Sequence, residues 1–74
     1  MINTANIREY MEVVGSDGKH VGSVDRIEGD RIKLTKSDAF ANGQHHYVPF
    51  EAVDRVETKR VRLKETAQET MQRW

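Results

Sequence analysis

Three histidines, His20, His45 and His46, are the side chains of this sequence best suited to chemistry near neutral pH. His45 and His46 are adjacent, so on a strand they project to opposite faces. One metal ion needs several ligands in fixed geometry and does not take both. His20 on an earlier strand and Asp38 on a loop are the further partners, but their spacing does not bring them to one point. The expectation is three surface or packing histidines and no metal site.

Nucleophilic and acid–base chemistry have no motif. Ser16, Ser23 and Ser37 lie in no nucleophile-elbow pattern. Carboxylates are plentiful, but charged residues make up 32% of the chain and most must be solvated. A chain of 74 residues has little room for a pocket that shifts a pKa. Gly15, Gly18 and Gly22 fit neither dinucleotide-binding nor P-loop spacing, and no helix follows them to meet a phosphate. The sequence therefore predicts a protein that is not an enzyme and carries no cofactor.

Two segments have binding chemistry. In Lys59-Arg60-Val61-Arg62-Leu63-Lys64, strand alternation puts Arg60, Arg62 and Lys64 on one face, a row that can track phosphates. An ordinary solvated face is the competing explanation, and aromatics for base stacking are missing from the run. In the tail, Ala67, Met71 and Trp74 recur at i, i+4 and i+7, one face of a short helix. That face either closes the fold's open end in cis or docks on a second subunit, and Met and aromatics are favoured at interfaces.

The elements that must position these groups read as mainly β. Asn6 to Glu9 has capping-box spacing for a short N-terminal helix, with Ile2 and Ile7 packing beneath it. Tyr10 to Val14 is the first strand, and Gly15 and Gly18 supply positive φ to a hairpin loop. Lys19 to Ile27 is the second strand. Its apolar residues Val21, Val24 and Ile27 break strict alternation, and Gly22 offers a bulge or bend as the cause. Gly29 turns the chain into Arg31 to Thr35, where Ile32 and Leu34 face inward. The stretch from 11 to 35 is thus a three-stranded antiparallel meander.

Lys36 to His45 is a long polar loop, the kind that often carries function. His46 to Phe50 is a fourth strand whose Pro49 marks an edge or an exit. A helical turn at residues 51–53 leads to a last hairpin, 54–57 with 60–64. Thr66 to Glu69 has capping-box spacing again and opens the helical tail, 65–74. The architecture expected is a single domain over residues 1–74, a strongly bent antiparallel β-barrel of about six strands at 10–64 with short helical segments at both ends.

Composition sets the outer limits. The chain has no cysteine, which excludes disulfides and fits a cytoplasmic setting. The thin core of so short a chain favours a homodimer. No apolar run reaches the roughly 18 residues of a membrane span, and Met1 to Tyr10 holds no signal-peptide core. Net charge is zero but uneven: residues 1–30 carry a balance of −3 and residues 31–64 a balance of +4.

The segments Glu12–Gly18, His20–Asp25, Asp30–Asp38 and His46–Phe50 with Val53-Asp54, in that order, resemble a small bacterial domain-of-unknown-function family related to the PRC-barrel. The resemblance spans about Ile7 to Leu63. It implies a compact bent barrel. PRC-barrel relatives in the photosynthetic reaction centre H subunit and in a ribosome maturation factor imply docking on protein or ribonucleoprotein rather than catalysis. The expected function is an interaction module that docks on another protein, with self-association. The alternative is RNA or ribosome association through Lys59, Arg60, Arg62 and Lys64; no membrane or DNA partner is expected.

Overall fold

The computed structural model describes residues 4–74. Ile2, expected to pack under an N-terminal helix, lies outside the described residues. Six strands form one sheet: β1 (Glu12–Val14), β2 (His20–Glu28), β3 (Arg31–Leu34), β4 (Tyr47–Pro49), β5 (Val53–Val56) and β6 (Arg60–Leu63). A helix, α1, follows at Ala67–Met71, and 3-10 turns occupy Thr4–Asn6 and Phe50–Ala52.

The sheet order is β4-β3-β2-β1-β6-β5. The first three strands are the antiparallel meander the glycine turns predict. The sheet is mixed rather than wholly antiparallel, because β6 returns to the free side of β1 and pairs with it in parallel. It follows that β4 and β5 both run opposite to β1. They are the two edges of the sheet, yet only the Phe50–Ala52 turn separates them in sequence. The sheet must therefore curl until three residues bridge its edges. Phe50 N donates to Asp30 O at 3.1 Å and Lys64 N to Ala52 O at 2.8 Å, which hangs the bridge between the two ends. The edges themselves do not pair, so the closed barrel expected from sequence is instead a bent, open sheet.

Register explains the broken alternation of β2. Val13 faces Gly22 while Val14 faces His20, so Val21 is an extra residue. Val24 faces Leu34 while Arg26 faces Lys33, so Asp25 is another. Each extra residue shifts the side-chain phase by one. Two shifts let Val21, Val24 and Ile27, spaced by three, all turn to the core. Gly22 sits beside the first bulge rather than in it. A Cβ there would stand 3.1 Å from Leu34 Cδ1, so it is small for packing.

The concave face holds Val13, Val21, Val24, Ile32, Leu34, Val48, Val61 and Leu63, each at 1% exposure or less. Each such side chain contributes roughly 1.5–3 kcal/mol by leaving water. Ile7, Met11 and Ala67 are packed into the same core. Pro49 ends edge strand β4. The bonds from Leu34 N to His46 O and Phe50 N to Asp30 O fix the ladder's phase. Residue 49 then points its backbone away from β3, where a missing N–H costs no ladder bond.

Both ends differ in detail from expectation. No helix follows Asn6; the chain turns at Tyr10, whose φ is 67°, so β1 begins at Glu12. Thr66 does cap α1 with a full capping box: Thr66 Oγ1 accepts from Glu69 N and Glu69 Oε1 accepts from Thr66 N. Ser16 N donates to Glu65 O at 2.7 Å and Ala67 N donates to Asp17 Oδ1 at 3.4 Å, so the first hairpin loop carries the tail.

Candidate functional site

Antiparallel pairing of β1 with β2 sets Glu12 opposite Ser23 and Val14 opposite His20, which emerges half-buried at the start of β2. The 35–46 loop brings Asp38 to the other side of the ring. His20 Nδ1 lies 2.9 Å from Glu12 Oε2 and Nε2 lies 2.7 Å from Asp38 Oδ2. Ser23 Oγ donates to the same Asp38 oxygen at 3.1 Å, and Phe40 N donates to Asp38 Oδ1 at 3.0 Å. The Phe40 ring meets the imidazole edge-on at 5.3 Å. One histidine thus clasps β1, β2 and the loop together.

Partial burial alone would lower the His20 pKa, but the two carboxylates outweigh it and hold the pKa above the ordinary 6.5. Burial would likewise raise Asp38, yet the Phe40 N–H, His20 and Ser23 keep it below the ordinary 3.8. In the charged form both ring nitrogens donate, so neither offers a lone pair to a metal or to a substrate proton. Ser23 bonds to Asp38 rather than to His20, which is not the geometry of an activated nucleophile. The arrangement can hold a loop in place, and can let go of it as the ring loses its proton.

Beside the clasp runs an open groove of about 770 Å³ between the loop and α1. Ala39, Phe40, Ala67 and Met71 supply its apolar lining, and Lys19, His20, Asn42, Gln68 and Gln72 its polar lining. Phe40 is 48% exposed there. The loop is tied down at both ends. Asn42 and Gly43 adopt positive φ, and Gln44 N donates to Ala41 O at 3.0 Å around buried Ala41.

A family profile described as an uncharacterized protein conserved in bacteria, DUF2171, matches residues 7–71. The chain belongs to the DUF2171 family. No curated protein matches it in sequence. The DUF2171 match runs from Ile7 of the core to Met71 of α1, and so includes the clasp and every residue of the groove's lining except Gln72.

The other predicted residues of this DUF2171 protein lie apart from the groove or are already engaged. His45 Nδ1 meets Leu34 O at 2.8 Å and His46 Nε2 meets Ala41 O at 3.1 Å, so the three histidines do not converge. Among the described residues no group of histidine and carboxylate side chains is arranged to hold a metal ion. Arg60 and Arg62 do lie along β6, with Lys64 one residue past its end, but the row is interrupted. Arg60 stands in register with Glu12. Arg62 lies 3.6 Å from Glu57 Oε1 and donates to Ser16 O at 3.3 Å. Lys59 and Lys64 are exposed.

Ala67 and Met71 pack on the chain's own core, while Trp74 stacks on His46 with ring centroids 3.9 Å apart and stays 37% exposed. No helix among the described residues is long and apolar enough to cross a membrane. Glu12, Ser23 and Phe40 went unseen in the sequence as parts of a site. Only the pairing of β1 with β2 signals Glu12, since it sets Glu12 opposite Ser23.

Proposed function

We propose that this protein is a non-catalytic interaction module that seats a short segment of a partner protein in the groove between the 35–46 loop and α1. The observation that carries the reading is the groove's make-up, a lining of apolar Ala39, Phe40, Ala67 and Met71 together with the amide-bearing Asn42, Gln68 and Gln72. Sites for small molecules bury most of their ligand, whereas this groove is open along its length. Side-chain amides both donate and accept, which suits the N–H and C=O groups of a peptide backbone. The preferred segment carries one bulky apolar anchor against Phe40 and Met71. The resemblance to PRC-barrel domains, whose uses are docking, supports the same reading, as does an imidazole with both nitrogens engaged. A cytoplasmic setting fits the absence of cysteine.

Panning a displayed peptide library on the immobilised protein tests this. Enriched peptides should share a bulky apolar residue and bind Phe40→Ser at least roughly tenfold more weakly, as expected for a buried anchor contact. No enrichment, or peptides that bind Phe40→Ser and the parent equally, would remove the reading. Sedimentation equilibrium on the same samples shows whether a second copy is the occupant: a dimer lost in Phe40→Ser means that the groove serves self-association.

A further inference from the structure

The outer face of β2, β3 and β4 carries a second pattern, independent of the groove. Register places Arg26, Lys33 and Tyr47 in one cross-strand row and Glu28, Arg31 and Pro49 in the next. The row between them, Ile27, Ile32 and Val48, turns to the core. The two rows therefore face outward, with Arg26, Arg31, Tyr47 and Pro49 exposed and Glu28 and Lys33 half-buried. Arg26 is partnered by Glu28 at 3.4 Å. Lys33 makes no ion pair among the described residues, and Arg31 lies over the Tyr47 ring, its Cζ 4.1 Å from the centroid.

Two flat π-surfaces meet at the edge of this face. Tyr47 has one side covered by Arg31, and Trp74 has one side covered by His46. Both rings line a single cleft of about 240 Å³, together with Pro49, Arg73, Glu65 and Thr70. Arg73 is held by Glu65 at 2.7 Å. Of the four cations Arg26, Arg31, Lys33 and Arg73, two are paired with Glu28 and Glu65, and the other two neighbour Tyr47, Arg31 over its ring and Lys33 in its cross-strand row.

We propose that this face binds single-stranded nucleic acid, with a base entering the Tyr47–Trp74 cleft or stacking on the Arg31 guanidinium, and with Arg31 and Lys33 on the phosphates. Arg31 and Lys33 stand two residues apart on one strand, about 6.6 Å, a row of charge rather than a point. Exposed rings beside unpaired cations on a sheet are the combination that unstacked bases and their backbone fit. An acidic peptide has use for the cations but not for the rings. A duplex hides its bases from them. The β6 row at Arg60 and Arg62 lacks rings and is interleaved with Glu12 and Glu57.

The test is fluorescence anisotropy with labelled ten-nucleotide oligoadenylate as RNA and as DNA, against the same sequence as a duplex and against an oligoglutamate peptide. The expected result is binding of the single strands with a log–log salt slope of about −1.4, from two phosphate contacts at about −0.7 each. RNA tighter than DNA would place a contact on the 2′-hydroxyl, and equal affinity would place contacts on base and phosphate alone; either supports the proposal. Tyr47→Ala should weaken binding by roughly fivefold or more through lost stacking, and Lys33→Gln should reduce the salt slope. Arg60→Gln and Phe40→Ser should leave both unchanged, which separates this surface from β6 and from the groove. A thermal transition like the parent's shows that Tyr47→Ala is folded; if it is not, Lys33→Gln carries the decision. No salt-dependent binding of either single strand, equal binding of oligoglutamate, or loss through Arg60→Gln rather than Lys33→Gln would overturn the proposal.

Discussion

Gly15→Ala is expected to destabilise the protein by about 3 kcal/mol. A Cβ at Gly15 would run into the backbone nitrogen of Ala67 and would stand 2.7 Å from the carbonyl carbon of Thr66. Backbone cannot rotate aside as a side chain can, so the tail has to move. Moving it exposes Ala67, now 4% accessible, and breaks the Ser16 N to Glu65 O bond. Overpacking of this kind costs roughly 1–3 kcal/mol and a broken hydrogen bond about 1 more. A chain of 74 residues has only about 4–11 kcal/mol in total.

Gly18→Ala provides the comparison. Gly18 has φ +81°, so alanine is strained there by roughly 1–2 kcal/mol, but the nearest atom to its Cβ is 4.0 Å away. Urea unfolding should rank Gly15→Ala well below Gly18→Ala. The reverse order would mean that the tail is not seated on the first hairpin loop.

The second large effect is the pH dependence that His20 confers. Its folded-state pKa is raised above 6.5. The stability it contributes is therefore fully present below pH 6.5 and is lost as pH rises through the folded-state value. Asp38 has the opposite sign: its pKa is held below 3.8, so its contribution is present above that pH and fades as the folded-state value is passed downward. The clasp is strongest between about pH 4 and 6.5.

The Asp38 side chain is 8% exposed and Glu12 42%, so most of the stabilisation comes from the Asp38 arm and solvent screens the other. His20→Gln should cost about 1–2 kcal/mol at pH 6 and less at pH 9, flattening the fall in stability that the parent shows across neutrality. Unfolding at several pH values checks this. A parent curve flat from pH 5 to 9 would show that the clasp holds nothing. Since His20 also lines the groove and its loop carries Phe40, groove binding should weaken over the same rise in pH.

Much of the fold was legible because its signals are local. Val21, Val24 and Ile27 are spaced by three, and that alone announces a bulged strand. Pro49 announces an edge. The same capping-box spacing, read twice, shows where local signals fail. Thr66 to Glu69 forms a helix because Ala67 and Met71 have a core to land on. Asn6 to Glu9 does not, because Ile7 is drawn into the core and the chain turns at Tyr10 to enter β1.

Gly15 was legible as a turn residue, but its reason was not. It has no positive φ, and its need arises from a backbone 52 residues away at Ala67. The parallel pairing of β1 with β6 is hidden for the same cause, since no local residue type encodes which edge a returning strand will choose. In the site, His20 and Asp38 were visible as candidates, and 18 residues of separation concealed their contact. Tyr47 was visible only as a strand residue until register set it beside Lys33 and Arg31.

The groove reading is tested most directly by mapping a panned peptide onto the ¹⁵N-labelled protein by amide chemical-shift perturbation at pH 6. The account predicts shifts concentrated on Lys19, His20, residues 39–42 and residues 67–72, with the β5–β6 face silent. Shifts centred on Arg55, Arg60 and Arg62, with Phe40 and Met71 unmoved, would contradict it.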